Sequence, residues 1–385
     1  MNRTFYEFFA GGGMARLGLG TRWQCVLAND IDPKKMETYR SNFGDKGTIR
    51  CDIAELKAKS MPGSPTLAWA SFPCQDLSLA GNRMGLAGER SGTFWGFWSA
   101  INKLKLTGRP PPLLVLENVC GLLTSHEGKD FRDMCRAIAS LGYSFGAIIV
   151  DAIRFLPQSR PRLFVVCVRD KRSVPSEIFM KGPSDVWHSQ ALVTAVHCLP
   201  PELRASWVWW HLPYPEISSP SLQRLVEIDG DELLWNSQAQ TNALLTMMSH
   251  TNREKVAAVQ KCGKRVVGTV YKRTRVEGGA RFQRAEVRFD GIAGCLRTPG
   301  GGSSRQTLIV VEGKSIQSRL LSIREAARLM GVPDDYKIPE NYNDGYHIFG
   351  DGLAVPAVAH IARNLLDPIA DVVMRGQLPR KQLAA

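Results

Sequence analysis

The chain has no apolar run near the ~20 residues that a membrane-crossing helix requires. It has no Cys-x-x-Cys pair and no Cys/His cluster, which argues against a zinc site. Its nine cysteines stand apart at 25, 51, 74, 120, 135, 167, 198, 262 and 295. An odd, scattered set argues against a disulfide framework and for a reducing compartment. The start, Met1 to Glu7, lacks signal-peptide architecture and reads as the lead into a strand. No internal repeat is present. Acidic charge is in deficit: 36 Asp and Glu stand against 49 Lys and Arg, a net charge of +13.

What is there is an ordinary globular composition, 44% hydrophobic and 22% charged, over 385 residues. That length suffices for one large or two modest domains with full cores. The basic excess is concentrated. From Arg253 to Arg288, eleven Lys or Arg oppose three Asp or Glu, a net of +8. Polyanions, nucleic acid above all, are the usual partners of such a stretch; a solvated basic face is the plainer reading.

Residues 1–170 alternate strand-like and helical patterns. Thr4–Phe9, Gln24–Ala28, Leu67–Ser71, Leu113–Leu116, Ala147–Val150 and Leu163–Val168 read as buried strands, with helices over Pro33–Asn42 and Asp130–Leu141. The alternation predicts an α/β fold with a doubly wound sheet and ligands at the carboxyl ends of its strands. Residues 171–320 lose this regularity and read as a second, irregular, partly β domain. Ser322-Ile323-Arg324-Glu325 is a capping box opening a helix over Ile323–Met330, which stops at Gly331. Pro356–Leu366 is a further helix, and the tail after Arg375 is polar and expected to fray.

Chemistry-bearing residues cluster at the strand ends. Cys74 follows the apolar run Thr66–Trp69 in Ser71-Phe72-Pro73-Cys74-Gln75, and Glu117-Asn118 ends the run Leu113–Leu116. A thiol on one such loop and a carboxylate on another suit a nucleophile and its acid partner. Phe9-Ala10-Gly11-Gly12-Gly13 turns from the first strand into a helix, where glycines let a ligand approach the backbone. Arg16 occupies the third glycine position of a nicotinamide fingerprint, so that motif is incomplete. Asp30 ends the second strand and Asp52 stands on a loop; turn capping competes with ligand binding at both. Arg160 and Arg162, at i and i+2 of an extended segment, point to one side.

Together these blocks resemble the DNA (cytosine-5) methyltransferases, of bacterial restriction-modification or orphan type, from Phe5 to about Leu366. The matching blocks run in family order. The glycine loop is followed by Pro73-Cys74-Gln75, Ser91-Gly92-Thr93-Phe94, Glu117-Asn118-Val119 and Gln158-x-Arg160-x-Arg162. The segment from Arg319 to Gly331 and Gly350-Asp351-Gly352-Leu353-Ala354-Val355-Pro356 complete the set. The resemblance implies a Rossmann-like S-adenosylmethionine-dependent sheet, with residues 1–170 plus 322–385 as a discontinuous catalytic domain. Residues 171–321 would be the target-recognition domain.

It implies methyl transfer from S-adenosyl-L-methionine to carbon-5 of a cytosine flipped out of duplex DNA. The product would be S-adenosyl-L-homocysteine, with no metal. Cys74 would attack carbon-6, Glu117 would act as general acid at N3, Arg162 would hold the exocyclic oxygen with Arg160 nearby, and Asn118 would orient the Cys74 loop. Phe9, Ala10, Gly11, Gly12, Gly13, Asp30, Ile31, Asp52, Ile53, Pro73, Asp351 and Gly352 would bind the cofactor. Gln75 and Ser78 would touch DNA, as would Lys272, Arg273 and Arg275 in the basic run. The glycine-rich segment from Leu296 to Gln306 is the expected reader of sequence, through Arg297, Thr298, Ser303, Ser304, Arg305 and Gln306. Trp207, Trp209 and Trp210 read as core of the middle domain. The expected partner is double-stranded DNA, bound by a monomer, with or without a cognate restriction endonuclease, in the cytoplasm near the nucleoid.

Four positions depart from the common pattern: Cys51 before Asp52, Asp76 after Gln75, Asp351 for the usual Asn, and Asp30 for the usual Glu. Three other readings stand beside this one. A transfer-RNA methyltransferase of the same class would carry a Cys-Phe-Thr signature after Glu117-Asn118-Val119, which is absent. A silent relative would not need Cys74, Glu117 and Arg162. A nicotinamide oxidoreductase would leave Cys74 and the basic run unexplained.

Overall fold

The computed structural model describes residues 3–73, 92–216, 219–228, 233–298 and 305–376. The chain divides into two compact units. One holds Met1–Val150, Pro161–Pro215 and Ala357–Ala385; the other holds Asp151–Arg160 and Glu216–Pro356. This is a division by packing, not by role.

The first unit is built on a seven-stranded sheet. Its strands are β1 (Arg3–Phe8), β2 (Trp23–Asp30), β3 (Thr48–Arg50), β4 (Leu67–Ser71), β5 (Leu113–Asn118), β6 (Ser144–Asp151) and β7 (Pro161–Val168), in the order β3-β2-β1-β4-β5-β7-β6. Strands β1 to β5 pair in parallel and β7 runs antiparallel to β5. The central strands β4 and β5 are buried on both faces, as a helix-covered parallel sheet requires. Helices α1 (Met14–Leu19), α2 (Pro33–Phe43), α3 (Thr93–Leu106) and α4 (Lys129–Ser140) alternate with them. The start of α2 is set locally: the Asp32 carboxylate accepts from the Lys34 and Lys35 N–H groups, and Pro33 takes the first helical position.

Helix α3 escaped the sequence reading. Its consecutive Phe94, Trp95, Gly96 and Phe97 are all buried, which blurs a 3.6-residue period. Gly96 is there for space, since a Cβ would lie 2.5 Å from Ile53 Cγ2. Strand β3, three residues long, offers no pattern to read.

Two short strands, β8 (Phe179–Met180) and β9 (Trp209–Trp210), form a ribbon in the same unit. Trp207 and Trp210 are buried, as core residues should be. Trp207 packs edge-on against Phe131 and Phe145, so it belongs to the core of the sheet unit.

The second unit contains a four-stranded antiparallel sheet of β10 (Val266–Glu277), β11 (Ala280–Arg288), β12 (Thr307–Glu312) and β13 (Ser315–Leu320), in the order β11-β10-β12-β13. Leu244, Met248 and Val256, from the helical segment before it, pack on Val270, Ala285, Val287, Ile309 and Val311. Strand β12 pairs β10 only from Val266 to Val270, whereas β11 follows β10 out to Glu277. The outer half of β10 and β11 is therefore a two-stranded ribbon, about 20 Å long at ~3.4 Å per residue. The capping box at Ser322 and Glu325 is formed. The buried Glu325 carboxylate also pairs with Arg319 at 2.6 Å.

Candidate active site

The candidate site lies at the edge of the sheet where β4 and β5 end. Ser71 pairs with Glu117 in parallel register, which puts the start of the Phe72-Pro73-Cys74 segment beside the Glu117-Asn118 end. Asn118 joins the two: its Nδ2 donates to the Phe72 carbonyl at 3.0 Å, and its Oδ1 accepts from the Val119 N–H at 2.8 Å. Asn118 is 4% exposed, so this bond is made away from water, where an unmade one would be costly. Cys74, Gln75, Ser78 and Asp76 lie outside the described residues.

Glu117 is buried, and Arg162 Nε lies 3.2 Å from its Oε1. Topology explains the pairing. Strand β7 runs against β5, so its beginning, not its end, meets the carboxyl edge, and Asn118 pairs with Leu163. Arg162 Nη1 donates to the Pro161 carbonyl at 2.9 Å, which steadies the guanidinium. The edge thus presents a fixed carboxyl and a fixed cation side by side.

The glycine loop follows β1. Phe9 has φ 55°, Gly11 53° and Gly13 80°, so the chain turns through the left-handed region three times in five residues. At Gly13 a Cβ would lie 2.3 Å from the Phe43 ring. Asp30, buried at the end of β2, braces the loop: Oδ2 accepts from the Gly11 N–H at 2.8 Å and Oδ1 from the Asp32 N–H at 2.9 Å. Each oxygen keeps a second lone pair for another donor. Ile31, next to it, is 64% exposed, a bare apolar surface beside a carboxylate. Asn29 Nδ2 donates to the carbonyls of Ile49 and Cys51, fixing the segment before Asp52. Asp52 caps the short turn Ile53–Glu55 through the Ala54 N–H at 2.9 Å, and Ile53 is buried in the sheet core.

Sequence reasoning missed Glu7. It lies on β1, 1% exposed, with Oε1 accepting from the Arg16 N–H and Oε2 from the Tyr39 hydroxyl at 3.0 Å. Burial pushes its carboxyl up to about 7, against hydrogen bonds from Tyr39 and Arg16 that lower it. An acidic residue inside the apolar run Phe5-Tyr6-Glu7-Phe8 was the available signal.

Two of the expected site residues have structural partners of their own. Arg160 is 1% exposed, and its guanidinium donates to the carbonyls of Leu296 (2.7 Å), Gly350 (2.8 Å) and Gly352 (2.7 Å). In this structure it fastens backbone. Gln306 is 2% exposed; its Nε2 donates to the Val270 carbonyl at 2.9 Å, extending the β10–β12 pairing, so it is not offered to a base edge. Arg305 donates to Asn343 Oδ1 and lies over the Tyr342 ring at 5.2 Å. Arg297 is exposed, and Ser303 and Ser304 fall outside the described residues. On the ribbon, Arg273, Arg275, Phe282 and Arg284 share one face, and Thr274, Val276, Arg281 and Gln283 the other, because directly opposed residues point the same way. Among the described residues no group of His, Cys, Asp and Glu could hold a metal. No helix there is long and apolar enough to cross a membrane.

Comparison with known proteins agrees with this geometry. Residues 3–367 match the family described as C-5 cytosine-specific DNA methylase. The chain belongs to that family. It is 27% identical over 364 residues to the type II methyltransferase M.HhaI of Haemophilus parahaemolyticus, covering 94% of this chain and 93% of that one. It is 28% identical over 366 residues to M.BsuFI of Bacillus subtilis, covering 93% and 71%. Among solved structures, the Dnmt2 methyltransferase of S. pombe has the same fold, with a TM-score of 0.57, 17% identity, and 97% and 99% of the two chains covered. This methylase is thus a DNA (cytosine-5-)-methyltransferase by family, on the mixed α/β sheet expected of it.

Proposed function

We propose that this methylase transfers the methyl group of S-adenosyl-L-methionine to carbon-5 of a cytosine flipped out of duplex DNA, through a covalent bond from Cys74 to carbon-6. The observation that supports it most is the Asn118 bridge to the Phe72 carbonyl beside the Glu117–Arg162 pair. It gives the Pro73-Cys74 loop a fixed origin next to an acid and a cation.

Carbon-5 of cytosine is a poor nucleophile. Addition of the Cys74 thiolate to carbon-6, with proton donation to N3 by Glu117, converts the ring to an enamine whose carbon-5 attacks readily. Arg162 stabilises charge on the exocyclic oxygen. Once carbon-5 carries its methyl group, loss of its proton to a base, departure of the Cys74 thiolate and return of the N3 proton to Glu117 restore the ring.

The residues fit the cofactor. Exposed Ile31 offers a face for the adenine, Asp30 retains acceptor sites for ribose hydroxyls, and Phe9, Ala10 and Gly11 to Gly13 border the methionine end. Asp52, Ile53, Pro73, Asp351 and Gly352 complete the assignment by motif. Bound S-adenosyl-L-methionine supplies an electrophilic methyl on a sulfonium and leaves as S-adenosyl-L-homocysteine.

Residues 1–170 plus 322–385 serve as the catalytic region and residues 171–321 as the target-recognition region. Arg297, Thr298, Ser303, Ser304 and Arg305 approach the bases, with Gln75 and Ser78 near the target. The β10–β11 ribbon has the width of element that a major groove admits. Lys272, Arg273 and Arg275 attract phosphates. The enzyme acts as a monomer on DNA in a bacterial cytoplasm, as an orphan or beside a restriction endonuclease.

Bisulfite sequencing of DNA from a host expressing the chain tests this directly. The expected result is protection of cytosine in one defined sequence, and an unmodified genome overturns it. Duplex DNA bearing 5-fluorocytosine at that site should trap a covalent complex, because fluorine blocks the final elimination.

A further inference from the structure

Asn29 holds together three segments that the proposed function gives to one cofactor. Its carbonyl accepts from the Ala10 N–H at 2.9 Å, at the start of the glycine loop. Its backbone leads directly into Asp30. Its side chain reaches the segment before Asp52, where Nδ2 donates to the Ile49 and Cys51 carbonyls at 3.0 Å each. Those two bonds replace a missing ladder. Strand β3 is three residues long, and its pairing with β2 ends at Asp30 and Arg50, short of Cys51 and Asp52. Asn29 is 1% exposed and follows the buried Leu27 and Ala28, where an unpaired amide would be costly. From the other side, Lys103 Nζ on α3 donates to the carbonyls of Ala54 (3.3 Å) and Leu56 (2.8 Å). The Asp52 turn is thus held both before and after its carboxylate.

We propose that Asn29 and Lys103 are positioning residues that make the Asp52 carboxylate a reader of the adenine amino group. Asp52 is exposed, and its Oδ1 accepts from the Ala54 N–H at 2.9 Å, which leaves acceptor sites on both oxygens. An ionised carboxylate can only accept, and the 6-amino group is the one N–H donor on the adenine of a nucleoside. The inference deepens the reading of Asp30 and Asp52 as cofactor contacts and rests on it. Asn29 sets the spacing of the two carboxylates, because a peptide bond joins it to Asp30 and two hydrogen bonds join it to the segment before Asp52. Replacing its side chain frees only the Asp52 end, since the carbonyl that holds Ala10 belongs to the backbone. The loss should therefore fall on recognition of the base and spare the homocysteine end.

The test uses the whole protein and two ligands, S-adenosyl-L-homocysteine and its analogue with hydrogen in place of the 6-amino group. Calorimetry measures the affinity for each. The wild-type chain should prefer S-adenosyl-L-homocysteine by about 10- to 100-fold, as a hydrogen bond to a charged acceptor gives. Asn29→Leu, a change of similar size, should cut that preference to about threefold or less while the analogue binds nearly as before. In an Asp52→Ala background, Asn29→Leu should change the preference no further, because both substitutions remove the same contact. Lys103→Met leaves the β2–β3 pairing untouched and should also lower the preference; it decides the matter if Asn29→Leu does not fold. Full preference in either variant overturns the proposal. So does equal weakening of both ligands, which is what a merely structural role would produce. A wild-type protein that binds the two ligands equally overturns the reading of Asp52 instead. One that binds neither overturns the cofactor reading itself, and the inference with it.

Discussion

The seven-stranded sheet and the β10–β11 hairpin treat charge in opposite ways. On the sheet, Glu7, Asp30 and Glu117 are buried or nearly so, and each is held by named partners. On the hairpin, Arg275 and Glu286 form an ion pair with their side chains 49% and 26% exposed, and Val276 and Phe282 stand in solvent. A buried charge costs several kcal/mol unless its partners are well placed, so each one on the sheet is fixed in position. An exposed ion pair contributes only about 0–1 kcal/mol, so the hairpin gains little stability from its charges. The sheet is built for placement at the scale of a bond. The hairpin leaves its charges in solvent.

Substitutions can break that contrast, starting at the sheet. Cys74→Ala should lower turnover by about 10⁴-fold or more while leaving DNA binding nearly intact, as loss of a nucleophile does. Single-turnover methyl transfer and a filter-binding titration report both, and retained turnover removes Cys74 from its role. Glu117→Gln keeps the shape but loses the transferable proton, so the rate should fall about 10²–10⁴-fold. A loss below tenfold would leave Glu117 as a structural partner of Arg162 only.

Glu7 tests the cost of burial apart from catalysis. Its carboxyl is pushed up to about 7 from an ordinary 4.5, chiefly by desolvation. Between those values the folded state keeps a proton that the unfolded state has lost, so stability should fall as pH rises from about 4.5 to 7. Glu7→Gln should abolish that fall and make the chain more stable than wild type at pH 8, on the order of 3 kcal/mol. Denaturant midpoints at pH 5 and pH 8 measure it; equal pH dependence in both proteins refutes it.

The hairpin should give the smallest effects. Arg273→Gln combined with Arg275→Gln, which lie on one face of the ribbon, should weaken DNA binding several-fold, across sequences alike. It should also lower the slope of log affinity against log salt by about 1 for each phosphate that is no longer neutralised. An unchanged slope would mean that these arginines face away from the phosphates, and the major-groove reading of the ribbon would go with them.

Much of the site could be read before folding was considered. Leu113–Leu116 is an apolar run without a polar side chain, which only a strand buried on both faces tolerates, and Glu117-Asn118 had to emerge at its end. Asn118 as the orienter of the Cys74 loop was implied by the family resemblance, and the bond to the Phe72 carbonyl fits that role. Arg160 was different. Its i, i+2 relation to Arg162 suggested a shared direction, but Arg160 precedes the first residue of β7, and periodicity holds only within a strand. Gln306 looked like a base reader by type, yet a neighbouring strand left the Val270 carbonyl for it to satisfy.

The sequence alone determined which chemistry is possible, because reactivity belongs to residue types and their order: a thiol after Pro73, a carboxyl at 117, arginines at 160 and 162. Tertiary structure decided what stands beside those groups. Strand direction brought Arg162 back to Glu117, while unpaired carbonyls far along the chain claimed Arg160. The physical reason is that every buried polar group must be satisfied, and only the folded chain shows what stands within reach of it.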